Sequence, residues 1–449
     1  PLARIYGWTL PHAIYNLTPF GSSVGSVYLG PYMRLKCWVP ALLAIYTVAY
    51  ILAVSGFLTK QPWTPTRPNF MSGKRKAPPV DEEPDAGELH WIPLGRQFLF
   101  DDLVHWQGKE RGLKFEDVAS RIDTVVLGPH ASAAFPEELK PFVSQSLSRR
   151  KQYDFSDVIT GPVGRAWAAA DSKVVFVENP HSRVVVDPNR EHGNEPEALL
   201  RQCFQRLRQD KGASLAGVDQ VRPVTFSGED VLLEPAEADW PKLTAALKTS
   251  AALGPLAYEA ARDRVLELVR EAKPERSPLT VIGFHDTNNE KMRADGAIVA
   301  QRPEPDRMPP FCNFGNQGDF VGDAVEGKVL LMPGKDLRCI ARAWAQACGQ
   351  AAEQDFLQPK EFAYMEPVSF NRPYPGGYEV RYWAKHLPSS EEKRYSVFQV
   401  EFARSFLLGP KSAQELREPG SSWPAVDQAH VDWVADKLRE AGDELRAAS

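Results

Sequence analysis

The amino-acid sequence predicts an α/β fold, a mixed sheet with helices on both faces, preceded by one transmembrane helix. Two observations lead to this prediction. From about residue 89 onward, short runs rich in β-branched residues alternate with longer helical stretches, which is the pattern of a sheet covered by crossover helices. Nearer the N-terminus, residues 37–58 form an uncharged and largely apolar run of 22 residues.

The uncharged run is long enough to cross a bilayer. At 1.5 Å per residue it spans about 33 Å, against a hydrocarbon core of roughly 30 Å. Arg34, Lys36 and Lys60 flank it, and Trp38 and Trp63 stand where interfacial aromatic residues are expected. A buried core helix is rarely so uniformly apolar, and the apolar region of a secretory signal is shorter and nearer the N-terminus. We therefore expect one membrane-spanning helix, whose orientation the basic residues on both sides leave open.

The segments around this run favour an organellar membrane. Residues 1–36 contain no acidic side chain and begin without Met, as expected of a mature chain behind a removed organellar presequence. Residues 59–88 contain six prolines and separate blocks of basic and acidic residues, which predicts an extended linker. We expect a single-pass protein of the mitochondrial inner membrane, with a plastid or bacterial membrane as the alternative.

The rest of the chain is expected to form one α/β domain at residues 89–410 and a helical tail at residues 411–449. Such a sheet binds its ligands beyond the carboxyl ends of its strands. The predicted strands are 124–127, 173–177, 183–186, 279–282, 328–331 and 397–402, and the predicted helices are 241–249, 255–272, 335–354 and, in the tail, the amphipathic segment 425–447.

Charge and cysteine content exclude several classes of protein. The formal net charge of −5 argues against a nucleic-acid partner bound through its phosphates. The five cysteines are scattered and form no Cys-x-x-Cys pair. A disulfide scaffold and a zinc finger are therefore not expected.

Two histidines follow predicted strands of the same sheet. His130 lies in the loop after residues 124–127, and His285 follows residues 279–282. A single loop histidine is weak support for a site, but two at one edge of a sheet indicate a metal, because neutral imidazole is a common zinc ligand. A carboxylate or another histidine would be the third ligand, leaving one position for water.

Charged residues also stand on or beside two other predicted strands. Arg183 and Arg190 bracket the apolar segment 184–186, and two guanidinium groups can clamp a carboxylate; the alternative is a structural Arg–Asp lattice. Glu401 alternates with apolar residues in the segment 397–402. A half-buried carboxylate has a raised pKa, which suits it to act as a general base.

Taken in order, these segments resemble the N-formylglutamate amidohydrolase family, zinc hydrolases related in fold to carboxypeptidase and deacylase enzymes. The resemblance covers about residues 120–410. The motifs that carry it are Pro129-His130 with Pro136, Asp157-Val158-Ile159, Ser182-Arg183 with Asp187 and Asn189-Arg190, Gly283-Phe284-His285-Asp286, Asn371 through Gly376-Gly377-Tyr378, and Gln399, Glu401 and Arg404.

The resemblance implies a metal site and a binding site for substrate. It implies that one zinc ion is held by His130, Asp157 and His285, with Asp154 as a rival for the second of these positions. It implies that Glu401 activates water. It also implies that a substrate carboxylate is bound by Arg183, Asn189, Arg190 and Arg404.

Three residues depart from the family pattern. Gly283 stands where the family has an acid two residues before the second metal histidine, and Ser132 where it has a glycine beside the first. Glu259 follows Tyr258 at a position where the family has a histidine. Losing a residue that supports a metal ligand typically costs ~10–100-fold in metal affinity or activity, so these departures bear directly on function.

Two functions from different classes follow. The first is a membrane-anchored, zinc-dependent amidohydrolase that cleaves an N-acyl amino acid or a similar carboxylate-bearing amide. The alternative is a largely non-catalytic accessory subunit of a mitochondrial inner-membrane respiratory complex, in which the helix, linker and tail serve as attachments. A carboxylate-binding sensor is a third reading; ligand-induced thermal stabilisation without turnover would identify it.

Overall fold

The computed structural model of the protein describes residues 87–191, 195–274, 277–350, 367–387 and 395–448. In chain order the strands and helices are β1 (Trp91–Ile92), α1 (Phe100–Leu103), β2 (Val104–Trp106), α2 (Phe115–Val118), β3 (Thr124–Gly128), β4 (Phe135–Pro136), α3 (Arg149–Asp154), α4 (Thr160–Ala170), β5 (Val174–Glu178), α5 (Pro196–Gln209), α6 (Trp240–Leu253), α7 (Pro255–Ala272), β6 (Leu279–Thr287), β7 (Glu290–Met292), β8 (Ile298–Gln301), β9 (Cys312–Gly315), α8 (Gly334–Ala347), β10 (Val368–Phe370), α9 (Tyr378–His386), β11 (Tyr395–Ala403), α10 (Arg404–Glu415) and α11 (Gln428–Ala447). Short 3₁₀ helices lie at Lys109–Arg111, Ala119–Arg121, Glu137–Phe142, Glu237–Asp239 and Glu304–Asp306.

Seven strands form one mixed sheet in the order β10-β9-β11-β6-β3-β5-β2. Its centre is parallel: β11, β6, β3 and β5 all run in one direction. The edges reverse, since β9 is antiparallel to β11 and β2 is antiparallel to β5. Because the four central strands are parallel, their carboxyl ends meet at one edge of the sheet, where ligands of such folds bind.

Both faces of the sheet are covered, as the sequence predicts. On β3, Val126 belongs to one buried cluster, whereas Val125 and Leu127 belong to another, because successive side chains of a strand point to opposite faces. The first cluster includes buried residues of α4, α8, α10 and α11, and the second includes residues of α1, α7 and α9. The mixed α/β part of the predicted fold is therefore confirmed.

Two predicted strands are absent from the sheet of the described residues. Residues 183–186 are buried, but they form turns in which Val185 donates a backbone hydrogen bond to Ser182 at 3.2 Å. Their valines pack in a third cluster with α5 and α6 instead. Residues 328–331 also lie in no strand. Both errors have the same cause: a short apolar run reads alike whether it joins a sheet or lies in a buried loop.

The transmembrane part of the predicted fold class and the predicted single-pass inner-membrane localisation are contradicted. Within the part of the chain that the structure describes, no helix is long and apolar enough to cross a membrane. The longest, α7 and α11, have 18 and 20 residues and carry charged side chains throughout. The predicted spanning segment, residues 37–58, lies outside the described residues. Its length and lack of charge are necessary for a spanning helix, but they are not sufficient.

The predicted tail helix is α11, and it packs on the same domain. Val431, Val434 and Leu438 are buried with residues of α4 and α8. Near its end, Arg446 pairs with Asp171 at 2.6 Å and with Asp123 at 3.0 Å. The described residues all belong to one compact unit, Ala77–Ser449, so α11 completes the layer on one face of the sheet. The predicted domain boundaries stay predictions.

Candidate metal centre and active site

Three central strands bring the site together at their carboxyl ends. His130 follows β3 by two residues, and His285 lies near the end of β6. Glu401 on β11 is directly opposite His285 in the parallel register. The loop after β3 is held by Asn179, whose side-chain amide donates a hydrogen bond to the carbonyl of Pro129 at 2.8 Å. Sheet topology therefore places residues 271 positions apart along the chain around one point.

Two histidines and one carboxylate form a compact buried group. Nδ1 of His130 lies 3.1 Å, and Nδ1 of His285 3.0 Å, from Oδ2 of Asp157. Asp157 stands just before α4, and its backbone N–H donates to the carbonyl of His130 at 3.1 Å. All three side chains are buried. These three residues, which we call the His-Asp-His group, could hold a metal ion.

The far sides of two of these ligands are fixed by further charged residues. Nε2 of His130 lies 2.7 Å from Oδ1 of Asp187. Arg183 donates through Nη2 to Oδ1 of Asp157 at 2.9 Å, which leaves Oδ2 facing the histidines. Asp187 and Arg183 are themselves buried. A carboxylate behind a histidine ligand fixes its tautomer and ring orientation.

Burial and charge act in opposite directions on these groups. Burial would raise the pKa of Asp157, but Arg183 and His130 together hold it well below its usual value. Burial and Arg183 lower the pKa of His130, yet Asp187 and Asp157 outweigh them and raise it. For His285, burial prevails and its pKa is lowered. The carboxylate is thus kept ionised, which is the form that binds a cation.

The donor set fits zinc. Two imidazole nitrogens and one carboxylate are a usual set of protein ligands for catalytic zinc, with a fourth position left for water or substrate. Metal–ligand bonds of about 2.0–2.1 Å in a tetrahedron require ligand atoms about 3.3 Å apart. The 3.0 and 3.1 Å separations in the His-Asp-His group are close to this value.

Glu401 is buried and lines the same cavity as the His-Asp-His group. Its Oε1 accepts a hydrogen bond from Nε2 of Gln399 at 2.8 Å, and Gln399 in turn accepts one from the backbone N–H of Gly377 at 2.6 Å. Burial, and then the negative charges of Asp157 and Asp286, raise the pKa of Glu401 well above its ordinary value. A carboxyl group with a raised pKa is suited both to accept and to donate a proton.

The residues predicted to bind substrate all have protein partners. Arg183 binds Asp157, and Arg190 binds Asp219 at 3.0 and 3.1 Å. Asn189 accepts a hydrogen bond from the backbone N–H of Glu379 at 3.0 Å, at the start of α9. An added Cβ at Gly377 would lie 2.2 Å from this amide, so glycine is required there for the close approach. Arg190 and Asn189 thus already have protein partners, as in the Arg–Asp lattice alternative for Arg190, and their role in binding a substrate carboxylate stays a prediction.

Arg404 supports the loop that carries Asp157. It is buried, donates to the carbonyl of Ser156 at 2.8 Å, and pairs with Asp286 and with Asp154, the latter at 3.0 Å. Asp154, the rival for the second ligand position, is therefore occupied by Arg404 and by Asn288 at 3.0 Å. Asp157 is the carboxylate that meets both histidines.

The glycine departure at position 283 has a packing reason. Gly283 lies two residues before His285 on β6, and a Cβ there would come within 2.9 Å of Val380 on α9. The acid of the family pattern has no room in this chain. A different acid is buried nearby: Glu379 accepts hydrogen bonds from Tyr258 at 2.8 Å and Arg262 at 2.7 Å, and its charge acts on His285.

The site opens into one cavity of about 240 Å³, which the His-Asp-His group and Glu401 line. Sequence analysis did not identify two residues of the site: Asp187, which contacts His130, and Arg302, which lines the cavity. Asp187 belongs to a motif that carries the resemblance, but the sequence alone did not reveal its contact with His130. Arg302, after β8, lies in no motif and hydrogen-bonds Tyr374 at 3.0 Å. Nothing in the sequence around Arg302 distinguishes it from a surface arginine.

We expect Asp187→Asn to weaken metal binding by about 10–100-fold, the usual cost of losing the partner behind a histidine ligand. The amide can no longer hold His130 as the carboxylate does. Competition with a chromogenic chelator measures the affinity. Asp219→Asn, which removes a carboxylate from Arg190 and Arg222 but from no member of the His-Asp-His group, is the matched control and should bind metal within about threefold of wild type. Equal affinities for all three proteins would contradict this role of Asp187.

Comparison with known proteins supplies an independent result. The sequence model of a family described as N-formylglutamate amidohydrolase matches residues 122–408, which confirms the resemblance predicted from the motifs. Among solved structures, the fold is similar to the N-formylglutamate amidohydrolase from Ralstonia eutropha JMP134, with 14% sequence identity, a TM-score of 0.42, and coverage of 74% of this chain and 96% of that one. No curated protein matches the sequence.

Proposed function

This chain belongs to the N-formylglutamate amidohydrolase family, and from that premise we propose that its α/β domain uses zinc to hydrolyse the amide bond of an N-acyl amino acid or a similar carboxylate-bearing amide. The observation that carries the proposal is the buried His-Asp-His group with Glu401 opposite His285, at the bottom of one cavity. In this proposal the His-Asp-His group supplies the metal ligands and Glu401 the proton acceptor.

The metal would be held through Nδ1 of His130, Nδ1 of His285 and Oδ2 of Asp157. When bound, zinc supplies a Lewis acid for the substrate carbonyl and lowers the pKa of water toward about 7. Asp187 and Arg183 keep His130 and Asp157 in place, so that the ligands need not reorganise when metal binds.

Glu401 performs the proton transfers. It takes a proton from the water that attacks the amide carbon, and delivers that proton to the leaving nitrogen as the C–N bond breaks. The products are a carboxylate from the acyl group and the free amino acid. Gln399 holds one oxygen of Glu401, which leaves the other for the reaction.

The accessory-subunit function stays a prediction. The contacts described here all lie within one chain, so they do not test for a respiratory partner. One observation favours the enzyme. Asp157, Arg183 and Arg404 remain buried and paired at the cavity rather than being replaced by apolar residues, although burying such groups is costly in a fold that has no use for them.

A panel of N-formyl and N-acetyl amino acids tests the proposed function. Purified protein loaded with zinc should release the free amine, as measured with an amine-reactive fluorophore, and a chelator should stop the release. Zinc-loaded protein that hydrolyses no member of the panel would contradict the proposal.

A further inference from the structure

Four arginines line the cavity, and three of them have carboxylate partners. Arg183 pairs with Asp157, Arg190 with Asp219, and Arg404 with Asp154 and Asp286. Among the residues that the structure describes, no carboxylate lies within 4.0 Å of Arg302. Lys291, the other cationic residue of the cavity, is exposed to solvent. Among the described residues that line the cavity, Arg302 is therefore the partly buried arginine without an ion-pair partner within 4.0 Å.

The backbone and one end of Arg302 are firmly held. Its N–H donates to the carbonyl of Asn289 at 3.0 Å, and its carbonyl accepts from Nε of Arg307 at 2.8 Å. Nη1 donates to the hydroxyl of Tyr374 at 3.0 Å. Tyr374 is itself fixed, because its carbonyl accepts from the side chain of Asn313 at 2.7 Å. The guanidinium is thus positioned without any bound ligand.

Part of this guanidinium remains unsatisfied. Nε of Arg302 is buried and has no hydrogen-bond partner among the described residues. A buried donor without a partner is destabilising, and a charged one more so. A planar guanidinium with an unused edge is the geometry that binds a carboxylate through two hydrogen bonds. The hydroxyl of Tyr374 accepts from Arg302 and also lies 3.4 Å from the hydroxyl of Thr287.

We propose that Arg302, held by Tyr374, binds the substrate's carboxylate and selects carboxylate-bearing amides over neutral ones. This inference rests on the proposed function for the identity of the substrate. It moves the carboxylate site away from Arg190 and Arg404, whose charges are already neutralised by Asp219, Asp154 and Asp286. A substrate bound there stays near the reacting groups, because Arg302 lines the same cavity as Glu401 and the His-Asp-His group.

The test compares each N-acyl amino acid with its C-terminal carboxamide, using release of the acyl group as the readout. Wild type should prefer the acid by about 10- to 150-fold, since a charged hydrogen-bonded pair contributes roughly 1.5–3 kcal/mol. Arg302→Gln should lower kcat/KM for the acid by about 30- to 100-fold. Its activity on the carboxamide should stay within about threefold, since no carboxylate contact is lost there.

Two further variants complete the design. Arg293→Gln removes the same charge from an exposed arginine outside the cavity, which pairs with Asp295 at 3.0 Å, and should behave as wild type. Tyr374→Phe removes only a hydroxyl and should give a smaller loss, about 5- to 10-fold, again confined to the acid. This variant tests the proposal even if Arg302→Gln does not fold.

A binding measurement separates this proposal from the proposed function. Calorimetry on the zinc-loaded protein measures the affinity for acid and carboxamide without relying on turnover. If wild type binds the acid selectively and Arg302→Gln does not, Arg302 has the role proposed even where no substrate is hydrolysed, and only the proposed function fails. If both compounds lose rate and affinity equally in Arg302→Gln, or neither does, the proposal for Arg302 is wrong.

Discussion

Replacing Glu401 with glutamine is expected to lower kcat/KM for hydrolysis of an N-acyl amino acid by about 10²–10⁴-fold. The amide cannot accept a proton from water, yet it keeps the size of the carboxyl group and can still bind Gln399. Because Glu401 is opposite His285 and outside the His-Asp-His group, the bound metal should be unaffected. Rates are measured by amine release, and zinc is measured on the same sample by atomic emission.

Glu290→Gln is the matched control for this change. Glu290 also lines the cavity, so both substitutions remove one negative charge there, but Glu290 is on β7 and contacts only Gln301, at 3.3 Å, among the hydrogen bonds described for its side chain. Its activity should stay within about twofold of wild type. Glu401→Gln with full activity and full zinc content would show that another group transfers the proton.

Replacing His285 with alanine is expected to remove both the metal and the activity. The substitution deletes one of three protein ligands from a buried group in which Nδ1 of His285 lies 3.0 Å from Asp157. A site with two ligands binds zinc far more weakly, and we expect the affinity to fall by at least about 10³-fold. Hydrolysis should then be undetectable above the uncatalysed rate. His130→Ala, which removes the other imidazole of the group, should give the same result.

His386→Ala controls for loss of a histidine in general, because His386 is exposed at the end of α9. It should retain zinc and activity. Circular dichroism of each variant shows whether the fold persists without the metal. Should His285→Ala stay folded and active while containing no zinc, a metal-independent mechanism would have to replace the one proposed.

The sheet could be predicted from the sequence because its strands have strong local patterns. Val125, Val126 and Leu127 are consecutive, apolar and flanked by turn residues, and the same holds for the start of β6. The valines at 184–186 are equally apolar, yet they pack under α5 and α6. No local pattern distinguishes these cases, since burial in a loop and burial in a strand select the same side chains.

The sequence predicted which residues form the candidate site better than it predicted which of them contact one another. The motifs brought His130, Asp157, His285 and Glu401 together as candidates, and the structure places them at one edge of the sheet, while their roles stay proposals. What the motifs could not give was which arginine is free to meet a ligand. Arg190 stands in a motif and is neutralised by Asp219, whereas Arg302 stands in none and has no carboxylate partner among the described residues. Such pairings depend on residues far apart in sequence.

The departures also needed the structure. From the sequence, Gly283 reads as a lost support for His285. In the fold, a Cβ at this position would come within 2.9 Å of Val380, and the buried acid on the same helix, Glu379, hydrogen-bonds Tyr258 and Arg262. A glycine at this position can be understood only when the helix packed against it is known, because Gly283 on β6 leaves the space that Val380 on α9 occupies.

The central claim is that the His-Asp-His group holds one zinc ion that hydrolysis requires. Its most direct test is a titration in which wild-type protein is stripped with a chelator and zinc is added back, while the hydrolysis of an N-acyl amino acid is measured. We predict that the rate rises in proportion to zinc and levels off at one ion per chain. A rate that is unchanged by stripping, or absent at one bound zinc per chain, would contradict the claim.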